Sequence, residues 1–504
     1  MNQIHTFHAQ YLQFNAAERT ARYQTSADAY WQQTGEQLAL DLFRSMSVRV
    51  SAYQHFLARH HIQVEKINSY ADLQFVPPTD KPTYIDQYPL SDLCWDGKIQ
   101  NSSMLSASSG STGLPNFWPR SDEQTMQGAI ISELIYREFF QMSELSTLYI
   151  ISFGMGMWIA GTYMMNSTQW VAQKGVPLTV AAPGINKSEI LRLIELGTNA
   201  YQQIVLIGLP PFIKDVIDTG IAQGINWQSI NIRFMFSGEA FTERWRSHMH
   251  EKVGFNLYTD TINLYGSADI GLNAHETPTT VYLRRLAADS PDIAQGLFDA
   301  VRIPSVNQYD PHLRHFEAVD GELLVSARSG IPLLRYNTKD MGNVLYFSEV
   351  EAILHKNGID LLNHFALTVG NANLLWRLPL VYLFGRGKFS ATLYGITLFP
   401  EYIKYVLDSP SLGPYLTGKF TIVTNEREDY TQELQLRVER NEFVETSEHL
   451  AALVKQTFIE ELPKISSEYQ HLLGSIGVKA HPQVSVHYYG DPEYFPRGIV
   501  KKTA

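Results

Sequence analysis

The sequence predicts an α/β fold with a mostly parallel sheet, on three observations. Short apolar runs recur between Leu178 and Tyr265, helical stretches of roughly ten to fifteen residues separate them, and small polar turns follow two of the runs. The strands read as Leu178–Ala182, Ile204–Ile207, Ile232–Phe236 and Ile262–Tyr265. Helices fall over Lys187–Leu196, Pro210–Ile217 and Thr242–Val253. Ligands of such sheets collect at the carboxyl ends of the strands. That rule singles out Ser237, Gly238, Glu239 and Ala240 after one strand, and Gly266, Ser267, Ala268 and Asp269 after another. The plainer reading of each is a tight strand-to-helix turn with a capping acid.

Composition bounds the rest. A chain of 504 residues, 44% hydrophobic and 18% charged, has material for more than one domain and a large core. Its formal net charge of -11 argues against a nucleic-acid partner. One cysteine, Cys94, excludes an intrachain disulfide framework and a cysteine-cluster metal site, and fits a reducing cytoplasm. As a nucleophile Cys94 is a weaker reading than as a small core residue. The first residues lack the basic segment and apolar run of a secretory signal, so export is not expected.

Taken in order, Gln37–His60 has helical apolar spacing and is expected to pack on the outside, and Tyr70–Tyr88, rich in Pro, Asp and Tyr, reads as an irregular connection. Ser106–Pro115 (SASSGSTGLP) comes next. Its residues are too small to fill a core, but they let a backbone curl closely around phosphate oxygens. No lysine follows Gly113, so this is not the GxxxxGK[ST] loop, and a plain Gly/Ser turn is the alternative. Asp122–Gln124 opens a helix that runs through Ile130, Leu134, Ile135 and Phe139. Leu145–Gln173 carries no charge, and Leu148–Met165 is apolar enough to raise a membrane span. The polar residues and glycines within it fit a buried strand, loop and helix better.

Beyond Leu272 the segments turn β-type, with Gly321–Ser326 and Pro332–Tyr336, and predict an antiparallel or barrel-like subregion. Arg335 and Asp340 read by composition as a surface salt bridge. Gly385–Lys388 suits a hinge, and the segments after it read as a small α+β domain. No internal repeat or low-complexity tract is evident.

In order, these segments resemble the adenylate-forming superfamily, and within it the phenylacetate-coenzyme A ligase-like branch. Ser106–Pro115 is similar to that branch's phosphate loop and Phe236–Glu239 to its adenine-site strand end. Tyr265–Asp269 resembles its Tyr-Gly-x-Thr-Glu motif, Arg335–Asp340 its Arg-Tyr-Arg-Thr-Gly-Asp motif, and Gly385 to Pro400 its hinge and domain entry. The resemblance implies a large adenylation domain over residues 1–384 with mostly parallel sheets and a β-rich subdomain. It further implies a hinge at 385–389 and a small mobile C-terminal domain over 390–504.

It implies an AMP-forming ligase that joins ATP to a small carboxylic acid and then passes the acyl group to coenzyme A or a carrier protein. Nucleotide would be held by Ser108, Ser109, Gly110, Ser111, Thr112, Gly113, Ser237, Gly238, Glu239, Ala240, Tyr265, Gly266, Ser267, Asp340 and Arg386. Magnesium would be held by Asp269, and the catalytic cation would be Lys501 or Lys502. Phe153, Gly154, Met157 and Trp158 are the candidate acyl wall; a buried core strand is the alternative reading. Three positions depart from the pattern: Ala268 stands for threonine, Asp269 for glutamate and Phe389 for the acidic hinge residue. Two other readings stay open, an activating enzyme that passes its acyl group to an amine or a protein, and a nucleotide-binding homologue without catalysis. The resemblance does not fix the acid or the oligomeric state.

Overall fold

The computed structural model describes residues 11, 14–107, 116–157, 159–300, 302–386, 391–394, 396–426, 432–445 and 448–496. A hairpin of β1 (Met104–Ala107) and β2 (Phe117–Arg120) flanks the small-residue loop, which lies outside the described residues.

The main sheet takes strands β3 (Thr147–Ser152), β4 (Leu178–Ala181), β5 (Gln203–Gly208), β6 (Ile232–Ser237), β7 (Thr261–Ser267), β8 (Gly271–His275), β9 (Ser305–Gln308), β10 (Arg314–Val319), β11 (Glu322–Ala327), β12 (Leu333–Leu345) and β13 (Leu380–Arg386). They form one 11-stranded sheet in the order β10-β11-β12-β13-β9-β8-β7-β6-β5-β3-β4. Pairing is parallel from β4 through β7 and antiparallel from β7 to β10. The expected β-type subregion is therefore the second half of the same sheet. The long β12 joins the two pairings: its first half lies on β11 and its second half, from Asp340, on β13.

The inner parallel strands β3, β5 and β6 are buried on both faces, which is why their sequences read as apolar runs without alternation, whereas the edge strand β4 stays partly exposed. Leu148, Ile150, Leu206, Phe234 and Phe236 pack on one face with helices Lys187–Ala200, Pro210–Ala222 and Glu243–Val253. Tyr149, Ile151, Val205, Ile207 and Met235 pack on the other with helices Asp122–Leu134 and Ile159–Ala172. The uncharged stretch thus divides into β3, a turn and a 14-residue helix, and among the described residues no helix is long and apolar enough to cross a membrane. Helix Asp122–Leu134 ends before Phe139, and a π turn covers Ile135–Phe139.

Two N-terminal expectations change. Val50, in extended backbone, breaks the expected single helix into Asp28–Arg49 and Ser51–Arg59. Leu42, Phe43, Met46, Tyr53 and Phe56 do not ride outside; they are core, packed with Phe316, Leu323 and Val325 of the antiparallel half.

After β13 come the hairpin β14 (Ala391–Leu393) and β15 (Ile396–Leu398), helix Pro400–Leu407, and a three-stranded sheet of β16 (Leu416–Glu426), β17 (Gln432–Arg440) and β18 (Gln483–His487). Helices Glu448–Ile465 and Ser467–Ile476 accompany that sheet. The buried apolar residues of this unit, from Ala391 to Ala480, form a cluster of their own.

Candidate nucleotide site

The site forms where β6 and β7 end side by side. Register pairs Ser237 with Leu264, and the Ser237 hydroxyl donates to the Leu264 carbonyl at 3.2 Å. Gly238 comes next with a φ of +90°, and a Cβ there would lie 2.8 Å from the Leu209 side chain, so only glycine turns the chain here. The turn is held from below: Asn263 Nδ2 donates to the Glu239 carbonyl at 3.3 Å, and Arg284 donates to the Phe241 carbonyl at 2.6 Å. Arg284 belongs to a buried cluster with Arg246, Glu243 and Glu276, in which Arg246 lies 2.8 Å from Glu276 and 2.9 Å from Glu243. Such charges persist in a core because each is paired and hydrogen-bonded. From the C-terminal unit, Lys404 donates to the Ala240 carbonyl and lies 3.8 Å from Glu239.

Tyr265, near the end of β7, donates its hydroxyl to Asp340 Oδ2 at 2.7 Å. Register pairs Asp340 with Arg386 at the end of β13, so positions from three separate sequence motifs meet. The salt bridge read from the sequence does not form as expected. Arg335 is 5% exposed and reaches Glu317 at 3.2 Å, and its guanidinium donates to the carbonyls of Leu73 and Val76. The segment Gly266–Asp269 likewise leads into a hairpin, with Ser267 opposite Gly271, and not into a helix.

Asp269 is buried, and both of its oxygens are engaged. Oδ1 lies 3.0 Å from Lys81 Nζ, and Oδ2 accepts from the Tyr336 hydroxyl at 2.6 Å. Beside it Arg120, fully buried on β2, donates to the Ala268 carbonyl and to the Ser106 hydroxyl. Burial pushes the Arg120 guanidinium down to about 10, which leaves it charged at neutral pH. The two arms of the small-residue loop therefore stand next to the Asp269 turn.

The residues present do not fit a magnesium ion held by Asp269. A carboxylate whose two oxygens are already taken by an ammonium group and a hydroxyl offers a divalent cation little.

The acyl-wall residues separate. Phe153 is 2% exposed within the sheet core, and Gly154 lies close under helix Ile159–Ala172, where a Cβ on Gly161 would sit 2.6 Å from its carbonyl. Met157 is 46% exposed, and its carbonyl accepts from the Ala107 N–H at 2.9 Å, which ties this turn to the arm before the loop. Ser108–Pro115, Trp158, Phe389, Lys501 and Lys502 lie outside the described residues, as does the Arg386 side chain. Cys94 is buried, and burial pushes its thiol up to about 11, so it is protonated at neutral pH and no nucleophile. Lys81, Arg120 and Lys404 were not legible as site residues, because each comes from a segment without motif and arrives only through tertiary packing; Tyr336 lies within the Arg335–Asp340 motif, but its contact with Asp269 is long-range in sequence.

No protein-family profile matches the chain, and no curated protein sequence does. Solved structures do. A 2-hydroxyisobutyryl-CoA ligase in the postadenylation state, in complex with R3-HIB-AMP, matches with a TM-score of 0.64 and 14% identity over 96% of this chain and 90% of that one. The same ligase in an open conformation with 2-HIB-AMP and CoA matches with a TM-score of 0.55 and 13% identity over 96% and 93%. The chain thus shares the fold of these 2-hydroxyisobutyryl-CoA ligase structures.

Proposed function

We propose that this chain is an AMP-forming carboxylate ligase that makes an acyl adenylate from ATP and a small carboxylic acid and passes the acyl group to a thiol, that of coenzyme A. The observation that carries the reading is that Ser237–Ala240 and Tyr265, at the adjacent ends of β6 and β7, are joined by the Tyr265 hydroxyl to Asp340, which pairs with Arg386, beside the arms of the Ser/Gly loop. The full-length likeness to acyl-CoA ligases supports it.

In this reading the turn at Gly238 lets backbone approach the adenine edge, and the Tyr265 ring, fixed through its hydroxyl, stacks on the base. Asp340 accepts from the ribose hydroxyls. A carboxylate oxygen of the acid attacks the α-phosphorus of ATP, the α–β bridging P–O bond breaks, and pyrophosphate leaves. The barrier is mostly electrostatic, so amides and hydroxyls of Ser108–Gly113 and a cation at Lys501 or Lys502 stabilise the developing charge. A thiol sulfur then attacks the acyl carbon, loses its proton, and AMP departs with the C–O bond. Residues 1–384 are the adenylation domain, 385–389 the hinge and 390–504 the domain that swings between the two steps.

The test is pyrophosphate release across a panel of aliphatic and aryl carboxylic acids, with and without coenzyme A, and thioester formation by mass spectrometry. Acid-dependent release with a CoA thioester is expected. Release with transfer only to amines, or ATP binding without turnover of any acid, contradicts the reading.

A further inference from the structure

The strongest feature outside that scheme is the cation at the Asp269 turn. Lys81 sits in an irregular segment whose neighbour Thr79 is bridged to β12 through backbone hydrogen bonds with Arg335 and Asn337 at 3.2 and 2.8 Å. This anchor brings Lys81 Nζ to 3.0 Å from Asp269 Oδ1 and 5.8 Å from the Trp118 ring centre on β2. Its side chain remains 34% exposed while that of Asp269 is 9% exposed, so solvent reaches the lysine side chain far more than the carboxylate. Tyr336 occupies the other carboxylate oxygen. An ammonium group carries three donors, and one carboxylate oxygen uses one of them.

Resting on the ligase reading, we propose that Lys81 supplies from the protein the positive charge at the ATP phosphates that a carboxylate-held divalent cation would supply, with Asp269 positioning its ammonium group. Losing one charge-assisted hydrogen bond to phosphate costs about tenfold or more in affinity.

The experiment is calorimetric ATP binding at fixed ionic strength, once with EDTA and once with saturating magnesium, for the wild type, Lys81→Met, Lys81→Arg and Asp269→Asn, with thermal midpoints confirming that each variant is folded. The wild type is expected to bind ATP in EDTA within about threefold of its affinity in magnesium. Lys81→Met loses at least about tenfold in EDTA and recovers part of it with magnesium, because Asp269 is then released to the metal. Lys81→Arg binds within about threefold of the wild type in EDTA. Wild-type binding that needs magnesium and loses that need in Asp269→Asn overturns the proposal, as does Lys81→Met binding like the wild type in EDTA. Absence of ATP binding by the folded wild type in both buffers contradicts the ligase reading as well, whereas ATP binding indifferent to Lys81 contradicts this inference alone.

Discussion

The large sheet and the C-terminal unit are each held by apolar packing, but they meet through polar contacts. Phe458, Leu436 and Val454 are fully buried in a cluster drawn only from the C-terminal unit. Across the boundary, Lys187 pairs with Glu442 at 2.9 Å, Arg244 with Glu461 at 3.1 Å, and Thr242 donates to Asp408 at 2.7 Å. Arg302 lies between Phe384 and Phe399, 3.8 and 3.7 Å from their ring centres. Contacts of this kind fit the swinging domain proposed above, since the more exposed pairs, Lys187–Glu442 and Arg244–Glu461, exchange for water at little net cost.

The largest effect that tests this contrast lies inside the small core. Phe458→Ala should cost about 3–5 kcal/mol by leaving a cavity beside Tyr469, whose ring is 5.7 Å away. If the two bodies are independent, differential scanning calorimetry splits into two transitions and only the lower one moves; a single transition shifted as a whole would mean one cooperative body.

Next is the chemistry proposed for the tail of the same chain. Replacing Lys501 and Lys502 together by alanine should slow adenylate formation at least about a hundredfold, with thioester formation from supplied adenylate far less affected. Unchanged adenylation in the double variant would remove the catalytic cation from this tail.

Asp408 gives the boundary a pH dependence. Burial raises its carboxyl from 3.8 to about 6, against the lowering pull of Thr242, Lys404, Lys214 and Arg244. The folded protein therefore binds this proton more tightly than the unfolded chain. The stabilising contribution is complete below about 4 and is lost as pH rises through about 6. Nearby His248, which burial pushes down to about 4, works in the opposite sense, favouring the folded form above its ordinary 6.5. Urea titrations of the wild type and Asp408→Asn isolate the carboxyl: the variant should gain stability relative to the wild type from acidic to neutral pH. A difference that does not vary with pH would contradict the assignment.

The smallest effect is expected at the rim. Arg244→Ala breaks a partly buried ion pair and a stack 3.9 Å from the Tyr405 ring centre, and should change stability by about 1 kcal/mol. A larger loss by thermal melting would show that the boundary is more than a polar rim.

The parallel half of the fold was legible because doubly buried strands announce themselves as apolar runs, and caps such as Asn186 and Thr242 mark the starts of the helices between them. The antiparallel half was legible as strands but not as a continuation of the same sheet, since the passage of β12 from β11 to β13 around Asp340 is a matter of long-range register. At the site, Ser237–Ala240 stood out by position after a strand, and Asp340 only through the family resemblance. Arg335 did not: its partner Glu317 and the carbonyls of Leu73 and Val76 are distant in sequence, and nothing local distinguishes a buried arginine from a surface one. The pairing of Asp269 with Lys81 escaped for the same reason.

The ligase reading itself is tested most directly by exchange of labelled pyrophosphate into ATP, which requires only the first half-reaction and no acyl acceptor. Exchange that appears only when a carboxylic acid is supplied, and that falls when Asp340 is replaced by alanine, is the predicted result. ATP binding without exchange for any acid in a broad panel would contradict it.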